Sequence, residues 1–199
     1  SNQVQLPKLN RVLSAGAPIP PQLHADFQQI LRDGVEVHTP YGATESLPVA
    51  SIGSKEVLEE TAQLTNSGKG TCVGKLAPNM TVKIIAITDD PIEKWSEDLC
   101  LPKGEIGEVV VKGPQVTESY YNDSTNTALS KIADGDNVRH RMGDLGYLDS
   151  AGRLWFCGRK AHRVQTSSET LFTVPCEAIF NTHPSVYRSA LLGVPEGSE

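Results

Sequence analysis

The sequence predicts an α/β fold with two regions, a layered α/β region followed by a small antiparallel β-barrel or sheet. Two observations lead to this prediction. Residues 12–39 are ordered strand, turn, helix and strand, which is typical of a layered α/β domain. From residue 73 onward, short β-rich runs are separated by glycines, which is typical of antiparallel strands. We therefore place one subdomain at residues 1–72 and a second at residues 73–158.

The first region begins with a short buried strand at Val12-Leu13 and a turn at residues 14–18. A helix is predicted from Pro20-Pro21 until Gly34, which ends it. At helical spacing, four apolar residues share one face of this helix: Leu23, Phe27, Ile30 and Leu31. A second strand is predicted at residues 35–39, where apolar and polar side chains alternate.

The second region follows a predicted linker at residues 54–71, which is rich in glutamate and threonine. Its strands are predicted at three β-rich runs, at residues 81–88, 107–112 and 153–157. Residues 89–103 carry acidic side chains and prolines and are predicted to form a surface loop. After Gly158 we expect a polar stretch at 160–170, a short helix opened by Pro175 and a strand at 190–194.

Composition excludes several classes of function. A net charge of -6 and the lack of a long basic run argue against a nucleic-acid partner. The four cysteines lie far apart and form no Cys-x-x-Cys pair, so we expect reduced thiols in a cytoplasmic protein rather than a zinc site. The five histidines show no metal-binding spacing. The longest aliphatic run, residues 84–87, is far too short to cross a bilayer.

The most informative segment is residues 38–46, His-Thr-Pro-Tyr-Gly-Ala-Thr-Glu-Ser, at the end of the second predicted strand. It combines an aromatic ring, a glycine that lets the backbone approach a ligand closely, a hydroxyl and a carboxylate. These groups suit a nucleotide, because a ring can stack on the base and a carboxylate can hold Mg²⁺ beside the phosphates. The alternative is a solvated loop at the end of a strand.

Three further segments follow in order: Gly104 to Pro114, Gly143-Asp144-Leu145-Gly146-Tyr147 and Gly158-Arg159-Lys160. Together with Tyr41 to Glu45, this series resembles the adenylate-forming superfamily of acyl-CoA synthetases, peptide-synthetase adenylation domains and luciferases. The similarity extends to residues 13–19 and 174–177. It implies that ATP activates a carboxylic acid as an acyl-adenylate.

The resemblance implies a role for each residue around the adenine. Tyr41 would stack on the base beside the turn Gly16-Ala17-Pro18, whose small residues let the flat ring lie against backbone. Gly42 would allow the same close approach from the strand. The alternative for Tyr41 is a packed, half-buried aromatic side chain.

It likewise implies roles around the phosphates and the ribose. Thr44 would donate a hydrogen bond to phosphate, and Glu45 would ligate Mg²⁺; the alternative for Glu45 is an acid at a helix N-terminus. Asp144 would accept hydrogen bonds from both ribose hydroxyls, unless it is a turn aspartate bonded to its own backbone. Arg159 would reach ribose or phosphate, unless it is a surface arginine.

Several positions depart from the usual family pattern. Met142 stands where a threonine is usual, Ser119-Tyr120 replaces a Gly-Tyr pair, and Ala161 occupies a hinge position that is commonly Asp or Lys. Residues 166–170 lack the usual glycine. These features resemble the olefin-pathway branch, whose members close β-hydroxy acids to β-lactones.

The family's Ser/Thr/Gly-rich phosphate loop and its adenylation lysine have no counterpart here, where Lys160 is the last lysine. The resemblance thus implies a fragment of a larger enzyme. On this reading residues 159–199 are the hinge and the start of a mobile C-terminal α+β domain. We expect the fragment to be inactive alone and prone to self-association through exposed apolar surface.

The leading hypothesis is an AMP-forming ligase that activates a fatty or other hydrophobic acid and passes it to CoA or another acceptor. Three alternatives stay open. The first is a β-lactone synthetase acting on β-hydroxy acids. The second is an adenylation domain that loads a carrier protein, and the third is a non-catalytic nucleotide-binding module.

Overall fold

The computed structural model describes residues 5–194, and its main element is a nine-stranded sheet. The strands are β1 (Val12–Leu13), β2 (Val37–Ala43), β3 (Ser46–Gly53), β4 (Thr71–Leu76), β5 (Thr81–Ile85), β6 (Gly107–Lys112), β7 (Lys131–Asp134), β8 (Asn137–Leu148) and β9 (Arg153–Arg159). Their order across the sheet is β1-β2-β3-β4-β9-β8-β6-β5, and β7 pairs with β8. The mixed sheet and its helices confirm the predicted α/β class.

Helix α1 (Pro21–Gln28) connects β1 to β2, which are parallel, with Val12 opposite Val37. This is the predicted order of strand, helix and strand. The helix is shorter than predicted, because backbone N–H groups of the next residues bond back to Asp26 and Phe27 and close it. Three buried residues, Leu31, Val35 and Val37, form the core beneath α1 together with the partly buried Phe27 and Ile30.

Strand β2 was predicted to end at residue 39. It instead continues through Pro40 to Ala43 and forms a hairpin with β3. The strand tolerates Pro40 because β1 pairs only with Val37 and His38, so β2 has a neighbour on one side alone beyond that point. A register shift between Tyr41 and Ala43 marks a bulge just before the turn. The informative segment 38–46 is therefore mostly strand rather than loop.

Residues 54–69 form an irregular helical run, so the prediction of a linker at 54–71 was wrong. The run consists of α2 (Ser54–Glu56), a π-helical turn (Val57–Thr61), α3 (Ala62–Leu64) and a second π-helical turn (Thr65–Lys69). The polar composition of this run gave no helical pattern in the sequence, because only a few of its side chains pack against the sheet. Val57 packs in one buried cluster with Ile52, Cys72 and Trp155.

The glycine-separated runs of the second region are antiparallel strands, as predicted. They continue the sheet of the first region, because β4 spans the proposed boundary at residue 72. The sheet curls on itself: Val49 of β3 and Val82 of β5 share one core although four strands lie between them. A short helix, α4 (Ser124–Ser130), precedes β7, and residues 89–103 form a loop with one 3-10 turn at Glu97–Leu99.

After β9 the chain forms a 3-10 turn (Lys160–His162), a two-stranded hairpin of β10 (Val164–Gln165) and β11 (Thr170–Leu171), and helix α5 (Thr173–Phe180). The helix contains Pro175 in its first turn and packs against the second π-helical turn and β9. The predicted strand at 190–194 is absent. No partner strand hydrogen-bonds to this segment within residues 5–194, and Leu192 and Val194 are exposed.

None of the helices within residues 5–194 has the length and apolar character needed to cross a bilayer.

Candidate functional site

A cleft lies between the turn that follows β1, the face of β2 to β4 and the irregular helical run. It holds about 900 Å³ of empty space, its open mouth included. Seven of the nine predicted site residues line it: Gly16, Ala17, Pro18, Tyr41, Gly42, Asp144 and Arg159. They come from four separate segments of the chain, and folding brings them to one cavity.

The polar centre of the cleft is the Asp144 carboxylate. The Tyr41 hydroxyl donates a 2.6 Å hydrogen bond to its Oδ2, and Arg159 Nη1 donates a 2.7 Å bond to its Oδ1. Asp144 and Arg159 are opposite each other in the antiparallel pair β8–β9, so the sheet register itself brings the guanidinium to the carboxylate. Arg159 also donates to the Met142 carbonyl at 3.3 Å. The three side chains thus form one connected group.

Burial dominates the electrostatics of this group. Only 5% of Asp144 is exposed, and burial raises the pKa of its carboxyl, while the hydrogen bond from Tyr41 and the Arg159 charge act in the opposite direction. Burial and the neighbouring carboxylate also raise the pKa of the Tyr41 phenol. Tyr41 therefore remains a neutral donor. Each Asp144 oxygen accepts one of these bonds and keeps a second lone pair, enough for two further donors from a ligand.

Gly42 lies at the bulge of β2. A Cβ atom there would lie 2.5 Å from the Ser46 carbonyl oxygen and 2.8 Å from Leu47 Cδ1. A larger residue would therefore separate the two strands of the hairpin at the edge of the cleft. The sequence predicts that Gly42 lets the backbone approach a ligand, whereas the close contact seen in the structure is between the two strands of the hairpin.

Thr44 and Glu45 lie outside the lining of the cleft, in the turn between β2 and β3. Thr44 is exposed. The Glu45 carboxylate accepts a 2.6 Å hydrogen bond from the Tyr120 hydroxyl, and this bond is the main reason that the pKa of Glu45 is lowered. Glu45 lies in a turn between two strands, so the alternative that it is an acid at a helix N-terminus does not apply.

The side chains around Glu45 suit a cation that is also bound by phosphate. They do not suit a cation held by protein ligands alone. Within residues 5–194, no three His, Cys, Asp or Glu side chains cluster in a metal-binding arrangement. Magnesium commonly takes only one or two carboxylates and completes its shell with water and substrate phosphates. The ionised Glu45 fits that role, because Tyr120 bonds to Oε1 and no other side chain among the described residues donates a hydrogen bond to this carboxylate.

Phe156 and His24 are two of the cleft residues that the sequence analysis did not predict. Phe156 lines the cleft and lies beside Tyr41, with ring centroids 6.2 Å apart, whereas its neighbour Trp155 is buried in the core. The alternation of side chains along β9 could have separated the two. His24 of α1 also lines the cleft and is 2% exposed, and its Nδ1 has no hydrogen-bond partner among the described residues. No sequence pattern indicated this position.

Met142, which stands where the family usually has a threonine, does not line the cleft. Its side chain is 3% exposed and packs in the main core with Val109 and Leu154. Its backbone carbonyl still contacts Arg159. The position thus contributes packing and one backbone acceptor.

The family model that describes AMP-binding enzymes matches residues 1–121. An olefin β-lactone synthetase from Stenotrophomonas maltophilia is 50% identical over 194 residues, which are 95% of this chain and 35% of that protein. A second, from Xanthomonas campestris, is 48% identical with the same coverage. An indoleacetate–CoA ligase from Aromatoleum aromaticum is 28% identical over 92% of this chain and 31% of that protein. The chain thus spans about a third of the length of these relatives.

Solved structures show the same fold. An amide bond synthetase from Marinactinospora thermotolerans superposes with a TM-score of 0.73 at 25% identity, covering 94% of this chain and 34% of that one. The o-succinylbenzoate coenzyme A synthetase of Bacillus subtilis, in complex with ATP and magnesium, gives a TM-score of 0.72 at 24% identity, covering 97% and 36%. The predicted resemblance is confirmed, and because the family model spans more than half of its residues, this chain belongs to the AMP-binding enzymes of the adenylate-forming superfamily.

Proposed function

We propose that this chain forms the nucleotide end of the active site of an AMP-forming ligase. The observation that supports this proposal is the convergence of Tyr41, Asp144 and Arg159 on one cleft. In the proposed complex the adenine lies between the Tyr41 ring and the turn Gly16-Ala17-Pro18, and the Asp144 carboxylate accepts hydrogen bonds from the ribose hydroxyls. Arg159, whose side chain is 53% exposed, reaches the ribose or the α-phosphate from the open side.

The first step is adenylation of a carboxylic acid. A carboxylate oxygen of the acid attacks the α-phosphorus of ATP, and the bond from this phosphorus to the bridging oxygen breaks and releases pyrophosphate. The protein contributes position and charge, because the reaction needs both partners held in line. Thr44 donates to a phosphate oxygen, and Glu45 is the ligand for Mg²⁺, which would neutralise phosphate charge when bound.

For the second step we propose ring closure of a β-hydroxyacyl-adenylate to a β-lactone. The support is sequence identity: two proteins named olefin β-lactone synthetases are 50% and 48% identical to this chain, against 28% for the indoleacetate–CoA ligase. In this step the β-hydroxyl oxygen attacks the acyl carbon, the bond from that carbon to the phosphate oxygen breaks, and AMP leaves. The hydroxyl proton passes to solvent. The substrate would then be a hydrophobic acid with a β-hydroxyl group.

The test compares two acids of equal chain length in the full-length protein with ATP and Mg²⁺: a long-chain 3-hydroxy acid and the acid without the hydroxyl. Mass spectrometry should detect the hydroxy acid less one water, together with AMP and pyrophosphate, without added CoA. The acid without the hydroxyl should give only enzyme-bound acyl-adenylate.

Each alternative predicts a different result in this test. Formation of a thioester from both acids, and only with CoA, would favour a CoA ligase and overturn the lactone step. Transfer only to a carrier protein would favour a carrier-loading adenylation domain. ATP binding without pyrophosphate release from any acid would leave the non-catalytic nucleotide-binding module.

A further inference from the structure

Glu45, the one carboxylate in the turn after β2, is held on both its side chain and its backbone by one distant segment. Tyr120 donates its hydroxyl proton to Glu45 Oε1 at 2.6 Å, and the Thr117 N–H donates to the Glu45 carbonyl at 2.9 Å. The two donors are 72 and 75 residues away in the sequence. This double contact fixes the carboxylate more tightly than a free turn would, because a side chain with one fixed oxygen loses most of its rotamers.

Lys131 at the start of β7 contacts the segment that holds Glu45. Its Nζ donates to the Thr117 carbonyl at 2.5 Å and to Thr117 Oγ1 at 3.1 Å, and it lies 5.7 Å from the centroid of the Tyr120 ring. The residue is 8% exposed and pairs with no carboxylate within 4 Å among the described residues. Burying an ammonium group is costly, so a lysine that only packed would favour the surface. Here the charge is used to hold Thr117 and Tyr120 in place.

We propose that Tyr120 and Lys131 are positioning residues that hold the Glu45 carboxylate for the cation bound to the nucleotide phosphates. The proposal rests on the proposed function, because it gives Glu45 the role of Mg²⁺ ligand. Neither residue lines the cleft in which the nucleotide would bind. Their effect reaches the cation through Glu45, so it should be visible only when the cation is present.

The test measures ATP binding by the full-length protein by calorimetry, once with Mg²⁺ and once with a chelator. For the wild type, Mg²⁺ should tighten binding, and Tyr120→Phe should reduce that gain about ten-fold, since one hydrogen bond to a charged group is lost. Binding in the chelator should not change. Lys131→Met should act in the same direction, and Lys131→Arg, which keeps the cation, should restore most of the gain.

Two controls separate positioning from general damage. Tyr121→Phe alters the neighbouring tyrosine, which is 93% exposed, and should leave both measurements at the wild-type values. The double variant Glu45→Gln with Tyr120→Phe should lose no more than Glu45→Gln alone, because Tyr120 acts through Glu45.

Equal losses with and without Mg²⁺, or additive losses in the double variant, would overturn the proposal. If Mg²⁺ tightened ATP binding by Tyr120→Phe as much as binding by the wild type, the proposal would also be overturned. The proposed function would then remain intact. If the wild type bound no ATP at all, the proposed function would itself fail, and this inference with it.

Discussion

At the scale of single residues, Asp144 shows how a residue of a short motif becomes a buried and oriented carboxylate. The motif supplies a carboxylate, but burial alone would favour its neutral form, because burial raises the pKa. Tyr41 and Arg159 oppose that effect with hydrogen bonds of 2.6 and 2.7 Å. The same two bonds orient the carboxylate toward the cleft. The orientation and the charge of Asp144 thus depend on residues 103 and 15 positions away.

We predict that Asp144→Asn weakens ATP binding by the full-length protein at least ten-fold, since it removes a charged acceptor of two hydrogen bonds. The wild type should also lose affinity as the pH falls through the raised pKa of Asp144, whereas the variant should lack this component. Isothermal calorimetry from neutral to acidic pH measures both effects. Asp136→Asn, at an exposed turn, is the matched control. Equal affinities for the wild type and Asp144→Asn would contradict the proposed contact between Asp144 and the ribose.

At the scale of elements, β3 and β4, which both contribute residues to the cleft, are in very close contact at Gly74. A register shift between Cys72 and Gly74 produces a bulge in β4 where it pairs with β9. Gly74 has a φ of +88°, and a Cβ atom there would overlap the Ser51 carbonyl oxygen of β3. The bulge therefore requires glycine for two reasons, the left-handed backbone and the lack of space.

These two reasons can be separated by experiment. Gly152→Ala places a side chain at a similar φ of +76° but in open space, so it should cost about 1 kcal/mol from backbone strain alone. Gly74→Ala adds the overlap with β3 and should cost about 3 kcal/mol. Urea denaturation of both variants measures the difference. Similar losses of stability would mean that β4 can move away from β3 at little cost.

At the scale of the whole molecule, a buried ionic network joins β6, β8, the loop 89–103 and the first residues after β9. Glu108 and Arg141 are 1% and 2% exposed at their side chains and form a 2.7 Å ion pair. Lys160 lies 3.1 Å from the same carboxylate. Arg141 also donates to the Thr88 and Asp90 carbonyls at 2.5 and 2.7 Å, and Lys160 donates to the Thr88 carbonyl at 2.9 Å. Because Lys160 directly follows Arg159, the network also restrains the strand that carries the site arginine.

We predict that Glu108→Gln destabilises the protein by about 3 kcal/mol, because two buried cations lose their counter-ion. Glu97→Gln is the matched control, since Glu97 pairs with Lys83 on the surface, and it should cause no measurable change. Chemical denaturation of the full-length protein gives the free energies of unfolding. A neutral effect of Glu108→Gln would show that carbonyl acceptors alone satisfy Arg141 and Lys160.

Several features were predictable from the sequence because they depend on neighbouring residues. Alternation indicated the strands, helical spacing indicated α1, and the ordered motifs indicated Tyr41, Asp144 and Arg159. The polar run at residues 54–69 gave no such signal, because its helix depends on packing against the sheet. The apolar run at 190–194 indicated a strand that the structure does not contain, because a strand needs a partner to hydrogen-bond with.

By itself the sequence determined the family and the types of side chain available for a nucleotide. Only the tertiary structure decided which of them meet: Asp144 lies opposite Arg159 through strand register, Tyr41 reaches Asp144 across 103 residues, and Tyr120 bonds to Glu45 across 75. The burial of His24 beside the same cleft was decided in the same way. The physical reason is that local preferences act within a few residues, whereas these contacts depend on strand pairing and on the curl of the sheet.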